Sequence, residues 1–156
     1  MGNENYTGAV MAMGLYAGLM QDIVRAYGWD RAAEMHAGQG WSMGVSTGEE
    51  IKKAAGGGKP DLARVVAANT SVMTGLGCAF TTPRQQGPVA TWDISRCPIY
   101  DGLKAGGFSH EQIKLLCEAF DGKFYPGVSS VVPPAVGSVQ FRKTPEDSCK
   151  ERWEVR

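Results

Sequence analysis

Apolar residues in the first third of the chain recur at alternating steps of three and four, which is typical of a helix with one buried face. Gly28 is expected to end this first helix, and Asp30 is expected to cap the start of a second one. The same spacing predicts a third helix from Pro60 to about Gly77. The apolar face of the first helix contains Met13, Tyr16, Met20, Ile23 and Tyr27.

The first two predicted helices are rich in small residues and methionine. Small side chains at positions 9, 12, 14, 17 and 18 favour close helix packing, and we expect this face to form a homodimer. Met11, Met13 and Met20 form either an adaptable ligand wall or ordinary helix core. The glycine-rich stretch 37–44 is expected to kink the second helix or to let a ligand approach its backbone.

After Pro88 the apolar positions alternate with polar ones, and this period of two predicts a strand over about 90–95. Pro98 then predicts the start of a short helix that ends near Gly106, and Ser109 with Gln112 predicts a capping box that opens another. We expect that helix to end at residues 121–122.

Three strands are predicted for the remainder, over residues 128–132, 136–142 and 148–155, whereas residues 83–88 are expected to be a turn or loop. The order is therefore N-terminal helices followed by β-α-α-β-β-β. This order predicts an α+β fold in which helices cover a small antiparallel sheet. A chain of 156 residues fits a single domain spanning residues 1–156.

The charge balance argues against two classes of partner. Sixteen basic and sixteen acidic residues cancel, and no basic block is present, so we expect binding neither to nucleic acid nor to a membrane surface. No apolar run approaches the length of a membrane span, and the first residues carry acid where a secretory signal needs base. We therefore expect a cytoplasmic protein whose partner is a small molecule.

The four cysteines are widely spaced, without the C-x-x-C redox motif or paired zinc-finger ligands, so we expect them to be reduced. No cofactor is expected. The alternative is a zinc ion held by Cys97, Cys117 and Cys149.

Cys97 carries the strongest chemical signal because it stands directly before the predicted helix start at Pro98. Unpaired backbone N–H groups and the positive end of the helix dipole would stabilise its thiolate. The alternative is that Cys97 is a small apolar core residue. Arg96 continues the alternation of Trp92 and is expected to point inward near Cys97.

Two further residues leave alternatives open. His36 is either a satisfied structural histidine or a general base. In the last predicted strand, Glu151 shares one side with Cys149 and Trp153. Glu151 is therefore either an inward carboxylate that needs a partner or a solvated residue of an edge strand.

The second half resembles the L-2-amino-thiazoline-4-carboxylic acid hydrolase family. The resemblance extends over roughly residues 9–155 and is strongest from Trp92 onward. That family is similar to the 4-vinyl reductase domain, a small-molecule-binding fold. The residues that carry the resemblance are Arg96-Cys97-Pro98, Leu116-Cys117, Asp121, Gly137, Phe141 and Cys149-Lys150-Glu151-Arg152-Trp153.

The resemblance implies a cysteine-dependent hydrolase that opens a C–N or C=N bond in a small heterocyclic or amidine-like acid. It implies Cys97 or Cys149 as the thiolate and Asp121 as a base or orienting group. It also implies Arg96 or Arg152 as the carboxylate clamp. Glu151 departs from the apolar residue expected of the family at this position. Further candidate substrate contacts are Trp92, Cys117, His36 and Trp153.

The alternative function is a non-catalytic sensor or carrier that binds a hydrophobic ligand between the helices and the sheet. The methionines of the first two helices, together with Trp41 and Trp92, motivate this hypothesis.

Overall fold

The structure, a computed structural model, describes residues 2–56 and 58–156. Its first helix, α1 (Gly2–Ala54), consists of two arms that meet at Gly28, where the backbone has φ 82° and ψ 171°. A positive φ of this size favours glycine, so the predicted end of the first helix at Gly28 is confirmed. The second arm runs without a kink through the glycine-rich stretch to Ala54.

Three shorter helices follow, α2 (Leu62–Gly75), α3 (Pro98–Ala105) and α4 (His110–Val131). The Asp61 carboxylate accepts from the backbone N–H of Arg64 at the start of α2. Pro98 opens α3, and both hydrogen bonds of the predicted capping box between Ser109 and Gln112 are present at the start of α4. The local sequence signals for the starts of α3 and α4 are therefore confirmed, and α2 begins two residues after the predicted start at Pro60.

The five strands form one antiparallel sheet, and their bounds are β1 (Ala79–Phe80), β2 (Arg84–Gln86), β3 (Val89–Arg96), β4 (Ala135–Gln140) and β5 (Cys149–Val155). The order across the sheet is β1-β3-β5-β4, and β2 pairs with β3 on the same edge as β1. The α+β fold with a small antiparallel sheet against helices is confirmed. The strands β1 and β2 were not predicted, and β2 lies where we expected a turn or loop.

The predicted end of α4 at residues 121–122 and the predicted strand 128–132 are both wrong, because the helix continues to Val131. The valines of this segment have high strand propensity, but Val128 and Val132 are fully buried in the core between α4 and the sheet. Pro126 lies inside the helix, where it removes one backbone hydrogen bond. Tertiary packing therefore overrides the local preference.

Close helix contact explains the glycines of the second arm of α1. A Cβ atom at Gly40 would lie 2.3 Å from the Phe120 carbonyl oxygen, and one at Gly44 would lie 2.1 Å from that of Phe124. Both oxygens belong to α4. The glycines thus let the backbones of α1 and α4 cross closely.

The small residues of the first arm have an equivalent partner within the chain. Ala17 is fully buried, and a Cβ atom at Gly106 would lie 2.2 Å from the Ala17 Cβ. A Cβ atom at Gly102 in α3 would lie 2.4 Å from the Met13 Cβ. This part of the small-residue face therefore packs against α3 and the residue that follows it.

Candidate functional site

A cavity of about 280 Å³ lies between the helices and the sheet. Most of its walls are apolar or aromatic. Gln39, Met43 and Val72 line it and are also exposed, so the cavity meets the surface between α1 and α2. The apolar lining includes Met13, Met73, Leu76, Phe120, Phe124 and Phe141.

The cavity brings together several residues that are far apart in the sequence. Cys97 at the start of α3, Asp121 and Cys117 on α4, Cys149 on β5 and His36 on α1 all line it. These are the three predicted catalytic residues and two of the predicted substrate contacts. The cysteines and the acid therefore share one enclosed space.

Arg96 does not point inward as expected. It pairs with Ala79, whereas Phe80 pairs with Ile94, so Ser95 is an extra residue that breaks the alternation of β3. The Arg96 guanidinium is exposed and lies 4.2 Å from the centre of the Tyr6 ring. The bulge therefore turns Arg96 away from the cavity.

The remaining predicted contacts also lie outside the cavity lining. Arg152 extends from the other face of β5 and donates to Glu154 at 2.7 Å. Trp92 and Trp153 are buried in the core between α4 and the sheet. Neither Arg96 nor Arg152 is thus placed to hold a carboxylate inside the cavity.

The methionines divide between surface, core and cavity. Met13 and Met43 line the cavity, whereas Met11 and Met35 are exposed and Met20 is buried in the core. The predicted ligand wall is therefore formed only in part.

Cys97 is the N-terminal cap residue of α3, and although its sulfur makes no capping hydrogen bond, the nearby backbone N–H groups of Tyr100 and Ile99 favour its charged form. The Cys78 thiol also donates to this sulfur, and this bond is the largest influence that lowers the pKa of Cys97. Burial acts in the opposite direction. Hydrogen bonds to the charged form thus favour the Cys97 thiolate.

Asp121 lies at the cavity wall as a protonated acid near neutral pH. Burial, followed by the nearby charges of Glu151 and Cys97, raises the pKa of Asp121 to about 8. A protonated carboxyl can donate as well as accept a hydrogen bond. Asp121 therefore offers the cavity a neutral polar group.

Glu151 is the second acid of the cavity, and only 6% of its surface is exposed. It lies on β5 between β3 and β4, so the alternative of a solvated edge strand is wrong. The Trp153 Nε1–H donates to its carboxyl at 2.8 Å, and Tyr125 supplies a second hydrogen bond. Burial nevertheless raises the pKa of Glu151.

His36 is buried between aromatic rings. Its Nδ1 and the Tyr16 hydroxyl share a 2.7 Å hydrogen bond, and its ring centre lies 5.3 Å from that of Phe120. Burial lowers the pKa of His36 to about 4, so the imidazole is neutral at physiological pH. His36 is thus a polar group without charge in the cavity wall.

Two residues near the site were missed by the sequence analysis. Cys78 lines the cavity, but it precedes a two-residue strand too short to leave a periodic signal. Arg142 is 5% exposed, and its guanidinium lies 4.4 Å from the centre of the Tyr100 ring. Its Nε and Nη2 have no hydrogen-bond partner in the described part of the chain.

Among residues 2–56 and 58–156, no group of three or more His, Cys, Asp or Glu side chains is arranged to hold a metal ion. Cys97, Cys117 and Cys149 share the cavity, but they do not form such a group. Within the same residues, no helix is both long and apolar enough to cross a bilayer.

No protein-family profile matches the chain, and no curated protein matches it in sequence. The resemblance to the hydrolase family thus has no family match behind it. The chain is similar in structure to the phenol-responsive sensory domain of the transcription activator PoxR, crystallised with phenol. The TM-score is 0.60 at 13% identity, over 92% of this chain and 74% of that one. The chain therefore shares the fold of a small-molecule-sensing domain.

Proposed function

We propose that this chain is a sensor domain that binds a small, neutral aromatic molecule in the cavity between its helices and sheet. The cavity itself carries the proposal, because its lining is mainly apolar and aromatic with few polar groups. Its volume of about 280 Å³ is near the lower end of the ~300–1,000 Å³ typical of ligand pockets. The ligand is therefore small.

The polar groups of the cavity favour a neutral ligand with one hydroxyl group. Burial keeps Asp121 protonated and His36 uncharged near neutral pH. Both can exchange hydrogen bonds with a hydroxyl group, but neither supplies a positive charge to an anion. The PoxR domain, which shares the fold, was crystallised with phenol, and this supports the same class of ligand.

Phenol is the first ligand to test, by isothermal titration calorimetry and by the thermal unfolding midpoint. Saturable heat and a midpoint that rises with phenol concentration are expected, because a ligand of the folded state stabilises it. Benzoate, an anion of similar size, is expected to bind more weakly. Failure of phenol and other small aromatic alcohols to bind would contradict the proposal.

A pair of variants on β4 locates the binding site. Val139 lines the cavity, whereas Val136 does not, and both are half-buried valines on one strand. Val139→Phe fills part of the cavity and is expected to weaken phenol binding at least tenfold. Val136→Phe is the matched control and is expected to leave phenol binding unchanged. Equal binding by the two folded variants would place phenol elsewhere.

A cysteine-dependent hydrolase is the second candidate function. It is favoured by Cys97, whose pKa is lowered by the neighbouring Cys78 thiol and which lines the same cavity as Asp121. A thiolate could attack the carbon of a C=N bond while a protonated carboxyl supplies a proton to the nitrogen. The position of Arg96 and Arg152 outside the cavity weakens the case for an acidic substrate.

The hydrolase candidate is tested with L-2-amino-thiazoline-4-carboxylic acid, whose consumption is followed by chromatography. Turnover by the wild-type chain that is lost in Cys97→Ala or in Cys149→Ala would support a thiolate mechanism. Turnover unchanged in both variants would exclude that mechanism. No consumption by the wild-type chain would exclude this substrate and leave the sensor proposal intact.

A further inference from the structure

Two cysteines face each other at the wall of the cavity. Ala79 on β1 pairs with Arg96 on β3, and Cys78 and Cys97 occupy the next position on each side. Facing residues of an antiparallel pair have Cα atoms ~4.5–5.5 Å apart, which falls within the ~4.4–6.8 Å that a disulfide spans. The Cys78 thiol also donates a hydrogen bond to the Cys97 sulfur. The register of β1 and β3 therefore places the two cysteines opposite each other, within the separation that a disulfide can bridge.

The two thiols differ in their readiness to react. The Cys78 thiol and, to a smaller extent, the nearby backbone N–H groups of Tyr100 and Ile99 favour the Cys97 thiolate. The hydrogen bond to Cys97, followed by burial, raises the pKa of Cys78. Cys97 is thus the nucleophile of the pair, and Cys78 is the thiol that stands beside it.

A small oxidant can reach this pair. Cys78 and Cys97 are both half-buried and both line the cavity, which meets the surface at Met43 and Val72. Cys117 and Cys149 line the same cavity, but neither shares a hydrogen bond with another cysteine among the described residues. Of these four cysteines, only Cys78 and Cys97 therefore face each other across the strand register and include a sulfur whose pKa is lowered.

We propose that Cys78 and Cys97 are a peroxide-sensitive pair that closes to a disulfide in the cavity wall. This inference goes beyond ligand binding and does not depend on it.

The reaction has two steps. The Cys97 thiol first ionises, its thiolate attacks one oxygen of hydrogen peroxide, the O–O bond breaks, and the departing hydroxide takes up the proton that Cys97 released and leaves as water. Cys97 is then a sulfenic acid. The Cys78 sulfur attacks the Cys97 sulfur, the S–O bond breaks, and the hydroxyl group leaves as water with the Cys78 proton. Two thiols are oxidised to a disulfide, and one peroxide is reduced to two waters.

The experiment treats the folded chain with hydrogen peroxide, then unfolds it and labels the free thiols with N-ethylmaleimide. Mass spectrometry is expected to show two labelled cysteines instead of four and a loss of two hydrogens. Peptide mapping is expected to join the peptides of Cys78 and Cys97. Four labelled cysteines, or a disulfide between another pair, would overturn the proposal.

Single variants identify the role of each sulfur. Cys78→Ser removes the thiol that faces Cys97, so a 1,3-diketone probe of sulfenic acids is expected to label Cys97. Cys117→Ala is the matched control, since it removes another cysteine of the cavity and is expected to form the same disulfide. Failure of Cys117→Ala to form it would count against the pair. The peptide map of the wild-type chain decides the question even where a variant does not fold.

Discussion

The Trp153 indole donates its Nε1–H to the carboxyl of Glu151 at 2.8 Å, and both side chains extend from the same face of β5. Glu151 is 6% exposed and Trp153 is fully buried. A buried acid without a partner would be costly, and a buried indole N–H needs an acceptor as well. Each residue therefore supplies the hydrogen-bond partner that the other needs, which explains how a buried acid occupies this position.

The acceptor role of Glu151 predicts a difference between two substitutions. Glu151→Gln keeps an oxygen that can accept from Trp153, whereas Glu151→Leu leaves the indole N–H buried without an acceptor. Since an unsatisfied buried donor costs about 1–3 kcal/mol, Glu151→Leu is expected to be less stable than Glu151→Gln by that amount. Urea denaturation measures the free energies of unfolding. Equal values for the two variants would show that this hydrogen bond is dispensable.

Asp121 predicts a dependence of stability on pH. Its pKa is about 8 in the folded chain against an ordinary value of 3.8, so between these values the folded state holds a proton that the unfolded state has lost. The contribution of Asp121 to stability is therefore complete below about pH 4 and is lost as the pH rises to about 8. In Asp121→Asn this loss is absent.

The measurement is the free energy of unfolding of the wild-type chain and Asp121→Asn at several pH values. The free energy of unfolding of the variant minus that of the wild-type chain is expected to grow by at least about 1 kcal/mol as the pH rises from 4 to 8. Parallel stability curves for the two proteins would mean that the acid titrates alike in the folded and unfolded states.

His36 predicts that stability changes with pH in the opposite direction over part of this range. Its pKa is about 4 in the folded chain against an ordinary value of 6.5, so protonation favours the unfolded state. The stability that neutral His36 contributes is complete above pH 6.5 and is lost as the pH falls to about 4. In the wild-type chain this loss is partly offset by Asp121.

Comparison with a double variant isolates the contribution of His36. In Asp121→Asn, the thermal unfolding midpoint is expected to fall as the pH drops from 6.5 to 4. Adding His36→Gln is expected to reduce that fall. If both proteins lose stability equally on acidification, another group is responsible.

Local signals predicted the helix starts because each depends on one or two neighbouring residues. Pro98 fixes its own φ at the start of α3, and Ser109 satisfies backbone groups of α4. The end of α4 depends on distant contacts, since Val128 is held by the sheet and Gly127 by the Trp41 backbone. No pattern within residues 121–132 carries that information.

In the site, too, residues with a local sequence signal could be predicted and residues placed by long-range contacts could not. Cys97 could be proposed from its position before Pro98 alone, whereas Asp121 and Cys149 depended on a family resemblance. Arg96 was misplaced because one extra residue in β3 reverses the alternation, and the bulge is set by pairing with β1. Residues that meet only through such long-range pairing leave no signal in the sequence.

The first arm of α1 also presents an apolar stripe to solvent. Met11, Leu15 and Leu19 recur every four residues and are 68%, 81% and 56% exposed. The homodimer expected from the sequence stays a prediction. Because part of the small-residue face on which it was expected packs against α3 instead, we now expect it on this exposed stripe. Light scattering at micromolar concentration is expected to give the mass of a dimer.

Two substitutions to glutamate test the stripe. Leu15→Glu places a charge within the expected interface and is expected to give a monomer. Leu115→Glu is the matched control, because Leu115 is a 46% exposed leucine on α4. It is expected to remain a dimer. A monomeric wild-type chain would contradict the prediction, and a dimeric Leu15→Glu would place the interface elsewhere.

The close crossing of α1 and α4 predicts opposite effects for two glycines on the same arm of α1. A Cβ atom at Gly44 would lie 2.1 Å from the Phe124 carbonyl oxygen, so Gly44→Ala must separate the helices and is expected to cost about 1–3 kcal/mol. Gly38 has no atom within 4 Å of its Cβ position, so Gly38→Ala is expected to stabilise the helix by up to about 1 kcal/mol. Thermal or urea unfolding of the two variants measures both changes. Because the substitutions add the same methyl group to one helix, only the contact with α4 distinguishes them. Equal effects on stability would therefore mean that the two helices do not cross at Gly44.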